Sequence, residues 1–162
     1  MTDEQAQDET KESTFLVTAA DEGSAVLKDV NDGQVHTLSS NPGVEVHDAV
    51  TGMVAPDPPM NVSWQLVEIE RRWTIAIEKN DESPTAHVKE LAGQQATGEL
   101  HREERAGTGE IHVLTVPEDL TEQAVDDVAD DVESTLSRAA RLGVDRVEIR
   151  WAPGVVSVRY MP

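Results

Sequence analysis

From Thr14 onward, apolar residues come in short runs broken by turn residues. Thr14–Ala20, Ser24–Asp29 and Gln34–Ser39 are rich in Val, Leu and Thr, which suit a pleated, half-buried surface. Asp21-Glu22-Gly23 and Asn31-Asp32-Gly33 separate them. An Asp-Gly pair between such runs signals a hairpin, because the tight turn needs residues that tolerate positive φ. Asn41-Pro42-Gly43 marks a further turn. Ala49–Ala55 reads as a strand with a bulge or sharp bend at Gly52, ended by Pro56, Pro58 and Pro59. Val62–Glu70 alternates, with Val62, Trp64 and Leu66 on one side, and Arg71–Glu78 continues the register through Trp73, Ile75 and Ile77. Short strands at this spacing predict a small antiparallel barrel over residues 14–78.

The pattern then weakens. Residues 79–109 are polar and contain Gly93 and Gly98, so they predict a linker with at most a marginal helix after Ser83-Pro84. Residues 110–162 are clearer. Ile111–Val116 is apolar on both faces apart from His112 and Thr115, as in a buried strand. Asp119 and Glu122 have capping-box spacing. One helix follows, with Val125, Val128, Val132, Leu136 and Ala139 on its apolar stripe and Gly143 placed to end it. Val144–Trp151 and Val155–Met161 alternate around Ala152-Pro153-Gly154 and predict an antiparallel pair. The fold class is therefore α+β, a small antiparallel β-barrel followed by a β-α-β-β unit at 110–162. Residues 1–13 carry five acids, one lysine and no apolar period, and are expected to be a disordered tail.

Composition changes the picture in one respect. The 162 residues hold 32 acidic and 13 basic side chains, for a net charge of −19, and no cysteine. The lack of cysteine excludes a disulfide scaffold, thiol catalysis and cysteine-based zinc sites. No apolar run approaches the roughly 18 residues of a membrane span, and the acidic start is unlike a secretory signal. A cytoplasmic protein without a membrane partner is expected. Lysine is scarce (Lys11, Lys28, Lys79, Lys89), and Val and Ala dominate the apolar positions. This composition predicts a folded, salt-adapted protein, since the Debye length falls to about 3 Å in molar salt and self-repulsion is screened.

Against that acidity one run stands out. Arg138, Arg141, Arg146, Arg150 and Arg159 face only Asp145 and Glu148. Alternation puts Arg146, Glu148 and Arg150 on the polar face of one terminal strand and Arg159 on that of the next. The helix is expected on the opposite, apolar face. Guanidinium forks pair with phosphate or carboxylate, so Arg146, Arg150 and Arg159 are candidate ligand or partner contacts; cross-strand pairing with Glu148 is the structural alternative. Other constellations point to less. Asp126/Asp130 and Asp127/Asp131 are neighbouring i,i+4 carboxylates without a calcium-loop glycine. His87/Glu90 and His101/Glu104 have metal-site spacing but sit in a polar, glycine-containing segment. Gly107-Thr108-Gly109 precedes a strand, the wrong order for a phosphate loop, and reads as a flexible joint. No metal, cofactor or catalytic residue is indicated.

Two resemblances add to this. Asn41-Pro42-Gly43-Val44-Glu45-Val46-His47-Asp48-Ala49-Val50-Thr51-Gly52-Met53-Val54 resembles a segment of small OB-like barrels of the TRAM and S1 types. That resemblance implies an OB-like barrel and RNA as partner, although the match lacks the basic residues and surface aromatics of binders; Trp64 and Trp73 are core residues or, in the RNA reading, stacking residues. Thr14–Thr18, Asp32–Leu38, Gly107–Pro117 and Val155–Tyr160 resemble a family of small haloarchaeal proteins of unknown function, which implies no activity. The sequence thus reads as a non-enzymatic binding or interaction module whose partner is a protein or a phosphate-bearing molecule. An RNA-associated accessory protein is the alternative, and an enzyme with dispersed catalytic residues the third. No oligomeric state is indicated.

Overall fold

Strand β1 (Lys11–Ala20) is ten residues long and serves two neighbours. Its first half pairs with β4 (Asp48–Pro56), from Lys11↔Val54 to Leu16↔Ala49. Its second half pairs with β2 (Ala25–Asp29), from Phe15↔Asp29 to Ala20↔Ala25. With β3 (Val35–Leu38) and β5 (Trp64–Thr74), these strands close a barrel in the order β1-β2-β3-β5-β4. Every pair is antiparallel except β3 with β5, which meet in parallel at Leu38↔Trp64. The computed structural model describes residues 9–162 and divides into two units, one ending at Thr74 and one spanning Ile75–Pro162.

The two Gly-containing hairpins lie where the turn signals put them, and Gly33 has φ 79°. The bend expected at Gly52 is a register shift between Thr51 and Gly52 in the β4–β5 ladder. A Cβ at Gly52 would run into the Glu68 carbonyl, so only glycine lets the strands approach there. Phe15, Val17, Leu27, Leu38, Val50 and Val54 fill the barrel, with Trp64 and Leu66 packed against them. His36 is fully buried among them, edge-on to Phe15 and Trp64 at 5.6 and 4.5 Å. Lys11 reaches this ring: its Nζ lies 2.9 Å from Asp29, 2.6 Å from Asp32 and 3.2 Å from His36 Nε2. An ammonium only donates, so Nε2 accepts and the imidazole is neutral.

The second unit is a five-stranded sheet in the order β6-β9-β10-β8-β7. The expected β-α-β-β core is present as β8 (Glu110–Thr115), two helices, β9 (Arg146–Ala152) and β10 (Val155–Met161), with β10 antiparallel to both β8 and β9. The remainder corrects the sequence reading. Ala76–Asn80 is not a barrel strand; as β6 it pairs in parallel with β9. Alternation through Trp73, Ile75 and Ile77 reports which face a residue takes, not which sheet it joins. The expected linker 79–109 is built into the unit. It holds helix α1 (Ala86–Gly93), capped by Thr85, and edge strand β7 (Leu100–Glu104). Gly107-Thr108-Gly109 is the β7–β8 turn, with φ 101° and 110° at its glycines. The single expected helix is two, α2 (Thr121–Asp130) and α3 (Val132–Leu142), broken at Asp131 (φ −81°, ψ 58°). No side chain caps α2; a 3-10 turn over Glu118–Leu120 leads into it in place of the Asp119 box. Gly143 ends α3 in the left-handed conformation. Of the expected tail, Lys11–Ser13 belong to β1, and residues 1–8 lie outside the described residues.

Two outcomes follow from the barrel. Gly52→Ala should separate β4 from β5 and lower the unfolding free energy by about 1–3 kcal/mol, read from the shift of the urea midpoint at unchanged slope. Burial, then the Lys11 charge, push the His36 pKa below the ordinary imidazole value. The unfolded chain therefore takes up the proton first as pH falls. Stability should be full above about pH 6.5 and decline below it, and the NMR midpoint of His36 should lie below that value. His36→Asn should remove part of the acid slope in thermal melts.

Candidate functional site

The sheet of the second unit has two covered faces. Register places Glu110, His112 and Leu114 of β8 on the same face as Val156, Val158 and Tyr160 of β10 and Val147, Ile149 and Trp151 of β9. Helices α2 and α3 pack on this side, as expected. The opposite face carries Ile111 and Val113, Ser157 and Arg159, and Arg146, Glu148 and Arg150. Helix α1, expected only as a marginal helix in a linker, covers its β8–β10 part through Val88 and Ala92 over Val113.

The three candidate arginines meet on the rest of that face, around one carboxylate. Glu148 is 5% exposed. Its Oε1 accepts from Arg150 Nε at 2.7 Å and Arg159 at 3.0 Å; its Oε2 accepts from Asn80 at 3.1 Å and lies 3.9 Å from Arg146. Burial pushes the Glu148 carboxyl up, but the Asn80 hydrogen bond and the Arg150 and Arg159 guanidiniums outweigh it and hold it below the ordinary value. Arg146 also pairs with Glu78 at 3.1 Å, and Arg150 with Glu82 at 3.3 Å. The structure therefore brings Arg146, Arg150 and Arg159 together as the sequence suggested, already engaged with carboxylates.

The two tryptophans do not share a site. Trp64 packs on the barrel core and against His36. Trp73 lies at the other end of β5, with the Arg71 guanidinium 4.0 Å over its ring. Asp126 pairs with Lys79 at 2.6 Å, and Asp131 sits at the helix break, its backbone N–H donating to the Asp127 carbonyl at 3.1 Å. His87 and His101 both approach Glu103, at 3.0 and 3.9 Å. Among the described residues no group of three or more His, Asp and Glu is placed to hold a metal ion, and no helix is long and apolar enough to cross a membrane.

The feature the sequence reading missed is a cleft of about 300 Å³ on the helix-covered face, where the α2–α3 break lies over β7, β8 and β10. Leu100, Leu114, Val128 and Val158 supply its apolar wall. Its polar lining comes from four elements and the break between the helices: Arg102 on β7, His112 on β8, Tyr160 on β10, Ser134, Thr135 and Arg138 on α3, and Asp131 at the break. His112 donates from Nε2 to Glu110 at 3.0 Å, and Arg138 reaches the same oxygen at 3.4 Å. Burial pushes the His112 pKa below its ordinary value, against the pull of Glu110 and with the help of Arg138 and Arg102. Burial likewise raises that of Tyr160. A signal was present. His112 is a polar break within the apolar run Ile111–Leu114, and alternation faces it toward Tyr160, whose ring centroid lies 4.9 Å away. Arg102 was hidden because β7 was not recognised, and the α3 residues because the helix break was not.

No curated protein and no solved structure matches this chain. A family model matches residues 11–151, which takes in the whole barrel and four strands of the second sheet but stops short of β10 and its cleft residues Val158 and Tyr160, and the chain belongs to that family, the family of unknown function DUF5812.

Proposed function

We propose that the chain is a non-enzymatic binding module, salt-adapted and cytoplasmic, whose ligand site is the cleft of the second unit. One observation carries this reading. The cleft combines an apolar wall with polar groups from four separate elements and the helix break, and among the described residues the side chains of Arg102, Thr135 and Tyr160 have no hydrogen-bond or ion-pair partner. Ligand sites have this build, mostly apolar with a few convergent polar groups, and this volume lies at the lower end of their range. The net charge of −19 and the scarcity of lysine support the salt-adapted part.

The second reading is an RNA-associated accessory protein of the TRAM or S1 kind. The closed β1-β2-β3-β5-β4 order supports it, with Arg146, Arg150 and Arg159 as phosphate contacts and Trp64 and Trp73 as stacking residues. Weighing against it, the three arginines are spent on Glu148, Glu78 and Glu82.

Two measurements test the choice. Small acids, phosphates, amines and neutral aromatics should shift the amide signals of His112, Ser134, Thr135 and Tyr160 in NMR titrations. Ser134→Trp, which fills the mouth from an exposed helix position, should abolish those shifts; shifts absent or scattered in the parent protein would end the reading. Recovery of the bound compound unchanged keeps the module non-enzymatic, whereas turnover would favour an enzyme built on His112 and Glu110. Separately, a U-rich RNA 20-mer should show a slope near zero of log affinity against log potassium chloride. A slope of about −2 or steeper, lost when Arg146, Arg150 and Arg159 are changed to Glu, would make RNA the better reading.

A further inference from the structure

We infer that the cleft selects a small organic anion, a carboxylate or phosphate ester on a compact apolar body. Its oxyanion would sit among Arg102, the Tyr160 hydroxyl and the first turn of α3. The inference rests on the cleft being a binding site and adds the class of ligand.

The hydroxyls carry the first part. Tyr160 and Thr135 are 5% and 6% exposed, yet neither side-chain oxygen has a hydrogen-bond partner among the described residues. Nor are they sealed in: among the described residues the fully buried side-chain atoms without a partner are His36 Nδ1, Ser137 Oγ and Ser157 Oγ. The free oxygens of Tyr160 and Thr135 thus open toward the cleft they line. Water in the open cleft satisfies such hydroxyls in the free protein, and a ligand oxygen that reproduces those hydrogen bonds takes its place.

Charge carries the second part. Arg102 forms no ion pair among the described residues, in a unit where acids outnumber bases, and it acts electrostatically on both His112 and Tyr160. Arg138 contacts Glu110 at 3.4 Å, longer than the roughly 2.7–2.9 Å of a strong charge-assisted bond, and its guanidinium has further donors to offer. Two acids oppose these cations. Glu110 is turned to His112 and Arg138. Asp131 is exposed and does not cap the first turn of α3 with its side chain, so that turn offers backbone N–H groups and the positive end of its dipole. Arg102, Arg138, Tyr160, Thr135 and Ser134 all donate. Neutral His112 spends its donor on Glu110. A cationic ligand would find Asp131 alone, beside two guanidiniums.

The test keeps the apolar body constant and varies the charge. Benzoate, phenyl phosphate, benzylamine and benzyl alcohol are titrated into the full chain at fixed potassium chloride, with amide shifts and calorimetry as readouts. Benzoate and phenyl phosphate should bind at the cleft, and the amine and alcohol about ten-fold more weakly or worse. Their ranking says whether carboxylate or phosphate is preferred. Arg102→Gln should weaken both anions about ten-fold, and Arg102→Lys should retain most of the affinity; Arg102 is exposed, and circular dichroism checks the fold of both variants. Tyr160→Phe should weaken the anions and leave the alcohol unchanged. Equal binding of alcohol or amine at the cleft would overturn the anion inference while leaving the binding site standing. Failure of all four probes to shift cleft residues would overturn the inference, and the broader titration series then decides the fate of the binding site.

Discussion

Burial of both faces of one sheet is the constraint on which the second unit depends. A sheet open to water on one side can carry charges anywhere on that side. Here α1 takes part of one face and α2 with α3 most of the other, so a polar side chain in the middle must be paired or lie at a gap. Glu148 meets the first condition. Removing a carboxylate from water costs several kcal/mol unless donors replace the solvent, and Asn80, Arg150 and Arg159 do so from three strands at once. The arginines are there because the carboxylate is buried, and the carboxylate is tolerated because they are there. His112, Tyr160 and Thr135 meet the second condition, at the place where two helices of ten and eleven residues fail to cover the β7–β8 end.

The same logic sorts what could be read from the sequence. Alternation and turn chemistry are local, so the barrel hairpins, the bend at Gly52, β8 and the terminal β9–β10 pair were all legible. Partner choice is not local. Ala76–Asn80 continues the alternation of β5 yet leaves the barrel for β9, because period two is blind to which neighbour a strand finds. Leu100–Glu104 holds one apolar residue in five, as an edge strand with one open side allows, and so it passed for a linker. The helix break at Asp131 was invisible because the apolar stripe from Val125 to Leu136 runs on at helical spacing across it.

The candidate site was legible in proportion. The arginine face was found because sign inversion in an acidic chain is conspicuous, but a charge count cannot say that one buried glutamate collects all three. The cleft is the converse case. Its members are ordinary residues from four parts of the chain, joined only by strand order and by a helix break that sequence periodicity does not record. His112 and Tyr160 were each visible as polar atoms on an apolar face; their meeting depends on β10 lying beside β8 in the register that sets Tyr160 against Glu110.

Screening separates the two polar sites physically. In molar salt the Debye length is about 3 Å, so an exposed pair such as Lys79 with Asp126 adds little, and long-range attraction of a partner by surface charge is lost. Recognition then has to come from contact: short hydrogen bonds made where water and ions are excluded. The Glu148 cluster is such a place, but its donors are committed. The cleft is another, and its Arg102, Thr135 and Tyr160 donors have no partner among the described residues. The same screening removes the repulsion between an acidic surface and a small anion, so under the proposed reading selectivity rests on the guanidiniums and hydroxyls that meet at the apolar wall. The acidity that hides the site in a charge count thus adds little to selectivity in such salt, and contact chemistry inside the cleft sets it.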